Sequence, residues 1–233
     1  MELYLADVRL LANEFLFEKG MALLPGERRE RIACLAMSAD RQRSLGAGLL
    51  LEYGLRKRGI SLLSDVPGCE TIQTECGVYG KPGLCGRTSP CFNLSHSGDY
   101  AVAVLSERTV GIDIERIRPM RPAVARRCFS VEEQVWLSEA AGKDAPFIWL
   151  WTRKESYVKA VGEGMHLPLA DFSVLEERLG EYLLHTFPVD TPGMPEGYVL
   201  SVCAKEPVEA AIELVELERL FDGMPQNRYN QKL

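Results

Sequence analysis

The sequence predicts a mixed α/β (α+β) fold of two lobes, each an antiparallel-rich sheet packed with helices. Two patterns predict it: apolar runs of strand length bounded by Gly, Pro and Asp, and apolar residues at helical spacing. Both occur in each half of the chain. Length agrees, because 233 residues with 46% apolar content can bury one large core, or two small ones of roughly 110 residues each.

Taken in order, Leu3–Val8 reads as a strand. Glu27–Met37 and Asp40–Arg58 read as helices, the second stepped by Leu45, Leu49 and Tyr53, with Ser38 as its N-cap. Thr71–Pro90 is rich in Gly, Pro and Cys and reads as loop with short strand pieces. Cys91–Ser95, Tyr100–Ser106 and, after a Glu107-Arg108 turn, Val110–Glu115 read as strands, the last two forming a buried hairpin. Ser130 with Glu133 makes a capping box ahead of a helix to Ser138, and Pro146 opens a helix running to residue 161. Phe172–Leu175, Tyr182–Thr186 and Tyr198–Cys203 read as strands. A boundary within 117–122 gives lobes of residues 1–116 and 117–222. The polar, aperiodic residues 223–233 are expected to fray.

Composition narrows the function classes. The longest uncharged apolar stretches, such as Ala101–Leu105, fall far short of the roughly 20 residues that cross a bilayer. The first residues lack a basic region leading into an apolar segment, so the expected location is the cytoplasm. Seven cysteines with no Cys-x2-Cys pair read as free thiols of a reducing compartment rather than a zinc site. A net charge of -6 argues against general nucleic-acid binding. Basic residues nevertheless cluster: Gly26–Gly59 holds eight Arg or Lys against four Asp or Glu, and Arg116, Arg118, Arg121, Arg126 and Arg127 follow. A small polyanion suits the first half.

Two acidic patches carry the chemistry. In Gly111-Ile112-Asp113-Ile114-Glu115, strand alternation puts both carboxylates on one face and both isoleucines in the core. Side-by-side like charges are costly without a cation, and oxygen-only ligands favour Mg2+ or Mn2+, although a solvated strand face has the same pattern. In Trp151–Lys159, Glu155 and Lys159 stand one helical turn apart and can set an acid and an ammonium beside one reacting group. An ordinary surface ion pair has that spacing too, but Trp151 precedes Glu155 by one turn on the same face. Ser95 and His96 point to opposite strand faces, which suits a strand-end anion site or a polar turn better than a nucleophile and its base. Lys81 in Gly80-Lys81-Pro82, and Arg28 with Arg31 on one helical face, can hold phosphate or stand solvated. No Walker loop and no Gly-x-Gly-x-x-Gly occurs.

In order and spacing, Gly80-Lys81-Pro82, Phe92-Asn-Leu-Ser-His-Ser-Gly98, Gly111-Ile-Asp-Ile-Glu115 and Trp151-x-x-Lys154-Glu155-Ser156-x-x-Lys159 resemble the Sfp-type 4'-phosphopantetheinyl transferases. The likeness continues through Gly162–Met165, Leu167–Leu169 and Phe172–Val174. The resemblance implies two similar lobes about a pseudo-twofold with coenzyme A in the cleft between them. It implies transfer of the phosphopantetheine arm to a serine of an apo acyl or peptidyl carrier protein, with release of adenosine 3',5'-bisphosphate. By matching position it implies Asp113, Glu115 and Glu155 as Mg2+ ligands, Glu155 as base and Lys159 as the group that stabilises or protonates the departing phosphate. Arg28, Arg31, Lys81, Ser95 and His96 match the positions that hold coenzyme A's phosphates. The apolar and basic Arg116–Pro122 loop is expected to dock the carrier, and two in-chain lobes make a monomer the expected state. A coenzyme A sensor using the same Mg2+-dependent cleft without turnover is the alternative.

Overall fold

The structure, a computed structural model, describes residues 1–222; the tail expected to fray lies outside the described residues. In chain order the elements are β1 (Glu2–Asp7), α1 (Glu14–Ala22), α2 (Gly26–Ala33), α3 (Ser38–Lys57), β2 (Ile60–Ser61), β3 (Glu70–Thr71), β4 (Thr74–Cys76) and β5 (Pro82–Leu84). There follow β6 (Cys91–Ser97), β7 (Tyr100–Ser106), β8 (Val110–Arg116), α4 (Pro122–Cys128), α5 (Val131–Glu139) and α6 (Asp144–Val161). The chain continues through β9 (Arg178–Leu179), β10 (Tyr182–Thr186), β11 (Tyr198–Ala204), β12 (Ile212–Leu214) and α7 (Leu217–Asp222).

Two four-stranded sheets form the frame, ordered β12-β1-β7-β6 and β8-β11-β10-β9. The first packs α3 on one face, where Gly46 lets Val8 and Ala101 approach and Gly54 does the same for Tyr4 and Leu105. Its other face offers Leu3, Leu5, Val102 and Val104 to Ile112, Ile114, Leu200 and Val202 of the second sheet. The far side of the second sheet carries α6, with Ile148, Leu150, Val199 and Cys203 buried there. The layers therefore run helix, sheet, sheet, helix, and each interface is a row of apolar side chains withdrawn from water.

The mixed α/β class and most elements agree with the sequence reading, including the Ser130–Glu133 capping box. Four local expectations are corrected. The buried hairpin of β7 with β8 does not form: β7 already pairs with β1 and β6 on its two edges, so no edge is left for β8. Instead β8 crosses to the second sheet and pairs antiparallel with β11 along its whole length. Ser38 is the first residue of α3 rather than its cap; Met37 stands at the cap with no side-chain hydrogen bond. The helix expected to open at Pro146 begins two residues earlier, at Asp144. Phe172–Leu175 is not a strand, because side chains of α6 take its backbone carbonyls, as described below.

The sheets also draw on both sides of the expected boundary at Arg116–Ile117. β8 joins the strands that follow it, and β12 returns to lie parallel with β1. All seven cysteines are free. Among the described residues no helix is long and apolar enough to cross a membrane.

Candidate active site

The site is built where the edges of the two sheets meet. There β6 and β8 run side by side without a main-chain ladder, and side chains make the join. Asn93 Oδ1 accepts from the Ile112 amide (2.9 Å), Ser95 Oγ from the Ile114 amide (3.3 Å) and Ser97 Oγ from the Arg116 amide (3.2 Å). Alternate residues of a strand share a face, so three polar side chains in the Asn93-x-Ser95-x-Ser97 spacing can serve three alternate amides of β8. The two serines also donate. Ser95 bonds Asp113 Oδ1 at 2.8 Å and Ser97 bonds Glu115 Oε2 at 2.6 Å. The same hydroxyls that join the sheets thus hold the carboxylates of the acidic strand.

Helix α6 lies directly on β8 at Gly111, where a Cβ would strike the Ser156 carbonyl and the Ala160 amide. This close approach brings Lys159 onto the acidic strand. Its ammonium donates to Asp113 Oδ1 at 2.6 Å, to the Ile112 carbonyl at 3.1 Å and to Ser95 Oγ at 3.2 Å. Asp113 is 5% exposed, and its second oxygen, Oδ2, is buried with no hydrogen-bond partner among the described residues. An unpartnered buried carboxylate oxygen is costly unless a cation or donor arrives.

Glu155 stands one turn before Lys159 and forms no hydrogen bond among the described residues. Burial, then the charges of Asp113 and, more weakly, Glu115, push its pKa above the ordinary value, against the pull of Lys159. Burial also raises Glu115, and the Asp113 charge adds to it, while the Ser97 hydroxyl, Arg118 and Lys159 draw it back. Arg118 donates to Glu115 Oε1 at 3.3 Å. The charge of Asp113 thus acts on both Glu115 and Glu155. The three carboxylates do not close on one point: among the described residues, no three His, Cys, Asp or Glu side chains are grouped to hold a metal ion.

Beside this cluster opens a cavity of about 890 Å3. Its polar lining includes Glu155, Lys159, Asn93, Lys81 and Arg127, and Trp151, Val158 and Leu167–Ala170 also line it. A ligand with an anionic group and a less polar body matches a lining of both kinds.

The remaining predicted residues are dispersed around the cluster. Lys81 lines the cavity, but its ammonium is taken by the carbonyls of Val110 (3.1 Å) and Ala160 (2.9 Å), and burial lowers its pKa to about 8. His96 lies on the opposite face of β6 from Ser95; burial and then the Arg43 charge lower its pKa. Arg28 is packed against Gly48, donates to the Ser44 carbonyl at 3.2 Å and keeps its Nε buried without a partner. Burial, with the Arg31 charge, lowers its pKa to about 10. Arg31 is exposed and pairs with Glu27 at 3.2 Å. Ser95, His96, Arg28 and Arg31 stand outside the lining of the large cavity.

Sequence reasoning passed over Asn93, Ser97, Arg153 and Lys154 as individual residues, and read Glu133 only as half of a capping box. The first two carried a readable signal, a polar residue at every second strand position. The last three look like helix surface in sequence, yet all are buried.

The family model described as the 4'-phosphopantetheinyl transferase superfamily matches residues 109–205, the stretch from β8 through α6 to the end of β11. The 4'-phosphopantetheinyl transferase psf-1 of Bacillus pumilus is 39% identical over 164 residues, covering 66% of this chain and 70% of that protein. A 4'-phosphopantetheinyl transferase of Bacillus subtilis is 32% identical over 212 residues, covering 82% and 86%. The 4'-phosphopantetheinyl transferase Sfp of Bacillus subtilis (strain 168) is 29% identical over 216 residues, covering 88% and 92%. With these relatives matched over most of their length, and the acidic strand and α6 inside the matched region, the chain belongs to the 4'-phosphopantetheinyl transferase family.

Proposed function

We propose that this protein transfers the 4'-phosphopantetheine arm of coenzyme A to a serine hydroxyl of an apo carrier protein, releasing adenosine 3',5'-bisphosphate. The observation that carries the reading is the meeting of Lys159, Asp113 and Glu155 beside a cavity of about 890 Å3 that Lys159 and Glu155 line. The carrier serine attacks the phosphorus that bears the pantetheine, and the bond from that phosphorus to the bridging oxygen breaks. Glu155, whose pKa is raised by burial, is the group placed to take the serine proton. Lys159 puts a positive charge where the departing phosphate gathers negative charge.

The donor chemistry fits a hard divalent cation: every candidate ligand is a carboxylate, and Asp113 Oδ2 is buried without a partner. Although their side chains do not converge on one point here, Asp113, Glu115 and Glu155 are the carboxylates that would hold Mg2+. When bound it supplies charge neutralisation for the diphosphate. Ser95, by contrast, has its hydroxyl engaged by Asp113, the Ile114 amide and Lys159, so its part in the site is to hold Asp113. The carrier docks at residues 116–122, between the acidic strand and α4, where Arg121 is exposed.

The test is to incubate the protein with coenzyme A, Mg2+ and several apo carrier domains and to weigh each carrier. A gain of one phosphopantetheine is expected. No gain on any carrier, with coenzyme A binding retained, sinks the transfer and leaves a sensor. Arg121→Glu should raise KM for the carrier more than KM for coenzyme A; the reverse order rejects the docking loop.

A further inference from the structure

The turn of α6 that presents Glu155 to the cavity also holds the opposite side of the helix in place. Lys154 is fully buried, and its ammonium makes three bonds: to Glu133 Oε2 of α5 (2.8 Å) and to the carbonyls of Leu169 and Phe172 (both 2.7 Å). Glu133 is equally buried. Its Oε2 also accepts from the Ser130 amide and its Oε1 from the Val174 amide, both at 2.8 Å. Arg153, 3% exposed, takes the next carbonyls, those of Val174 and Glu176, both at 2.6 Å. The segment 169–176, a 3-10 turn over Leu169–Asp171 followed by irregular chain, thus has four carbonyls and one amide satisfied by three buried charged side chains. Leu167–Ala170, which forms a wall of the cavity, enters this segment.

We propose that Lys154 and Glu133 form a positioning pair that fixes the Leu167–Ala170 wall relative to Glu155 and thereby sets how tightly the cavity grips the pantetheine arm. Neither side chain reaches the cavity lining, so neither touches substrate. Their effect must pass through the wall. A wall that contacts the arm equally before and during reaction contributes uniform binding, which appears in KM and not in kcat. The inference rests on the transferase reading only for its kinetic arm.

Lys154→Met keeps the length of the side chain and removes its three donors. KM for coenzyme A should rise by about tenfold or more while kcat stays within about threefold. The double variant Glu133→Gln with Lys154→Met removes both buried charges. It should recover much of any lost thermal stability yet keep the raised KM, because the Leu169 and Phe172 carbonyls remain unheld. A KM that returns to normal along with stability shows a merely structural pair and overturns the proposal, as does a fall in kcat at constant KM. Hydrogen exchange on the unaltered protein tests the wall without any variant. The Val174 amide should exchange as slowly as the amides of α6, and exchange at the rate of an exposed loop overturns the proposal even if no carrier is ever modified.

Discussion

Lys154 and Lys159 leave the same helix and meet opposite fates. On the α5 side, Lys154 spends its donors on one carboxylate and two carbonyls and is closed to solvent. On the β8 side, Lys159 is 27% exposed and shares its ammonium between Asp113, Ser95 and a carbonyl, while Asp113 Oδ2 and the whole Glu155 carboxylate remain without hydrogen bonds among the described residues. The first arrangement is saturated, so it fixes structure. The second is left open, so it can accept a ligand. Burial costs both groups of charges, and only the second recovers part of that cost by binding something.

The strongest way to break this contrast is to truncate the open side. Lys159→Ala should slow transfer by about 100- to 1,000-fold, the size seen when one charge-stabilising donor is removed. Carrier mass against time measures it. Rates near normal would mean that the open side is not the reacting side.

The sheet junction sharpens the contrast next. Ser97→Ala leaves the Arg116 amide without its acceptor and Glu115 Oε2 without its donor, a loss of about 0.5–1.5 kcal/mol of stability. Ser97→Thr, which keeps the hydroxyl, should restore it, and urea midpoints for the two variants decide. Equal midpoints would show that the side-chain join bears little energy.

The smallest expected effect belongs to Lys81. A free lysine titrates near 10.5, whereas burial lowers this one to about 8. Between those values the unfolded chain carries a proton that the folded chain has released. Its contribution to stability therefore grows as pH rises from about 8 to 10.5 and is lost as pH falls through 8. Comparing urea midpoints at pH 7 and pH 10, Lys81→Met should rise less than the unaltered protein. An identical rise would assign the slope to other groups.

Much of the site was legible because it follows short periods. Asp113 and Glu115 face one way, and Ile112 and Ile114 the other, since a strand has no alternative. Glu155 and Lys159 share a face through the turn of a helix. The capping box at Ser130 was readable for the same reason, although nothing in it announced that Glu133 would also receive a buried lysine.

What the sequence determined by itself is the local alternation of each element and the residue types that chemistry needs. The tertiary structure decided which edges were free and which charges were enclosed. β8 left its sequence neighbour because β7 had no open edge, and residues 172–175, apolar enough for a strand, stayed irregular because Arg153 and Lys154 claimed their carbonyls. Partners distant along the chain compete for the same hydrogen-bonding groups, and that competition is settled only when the layers pack.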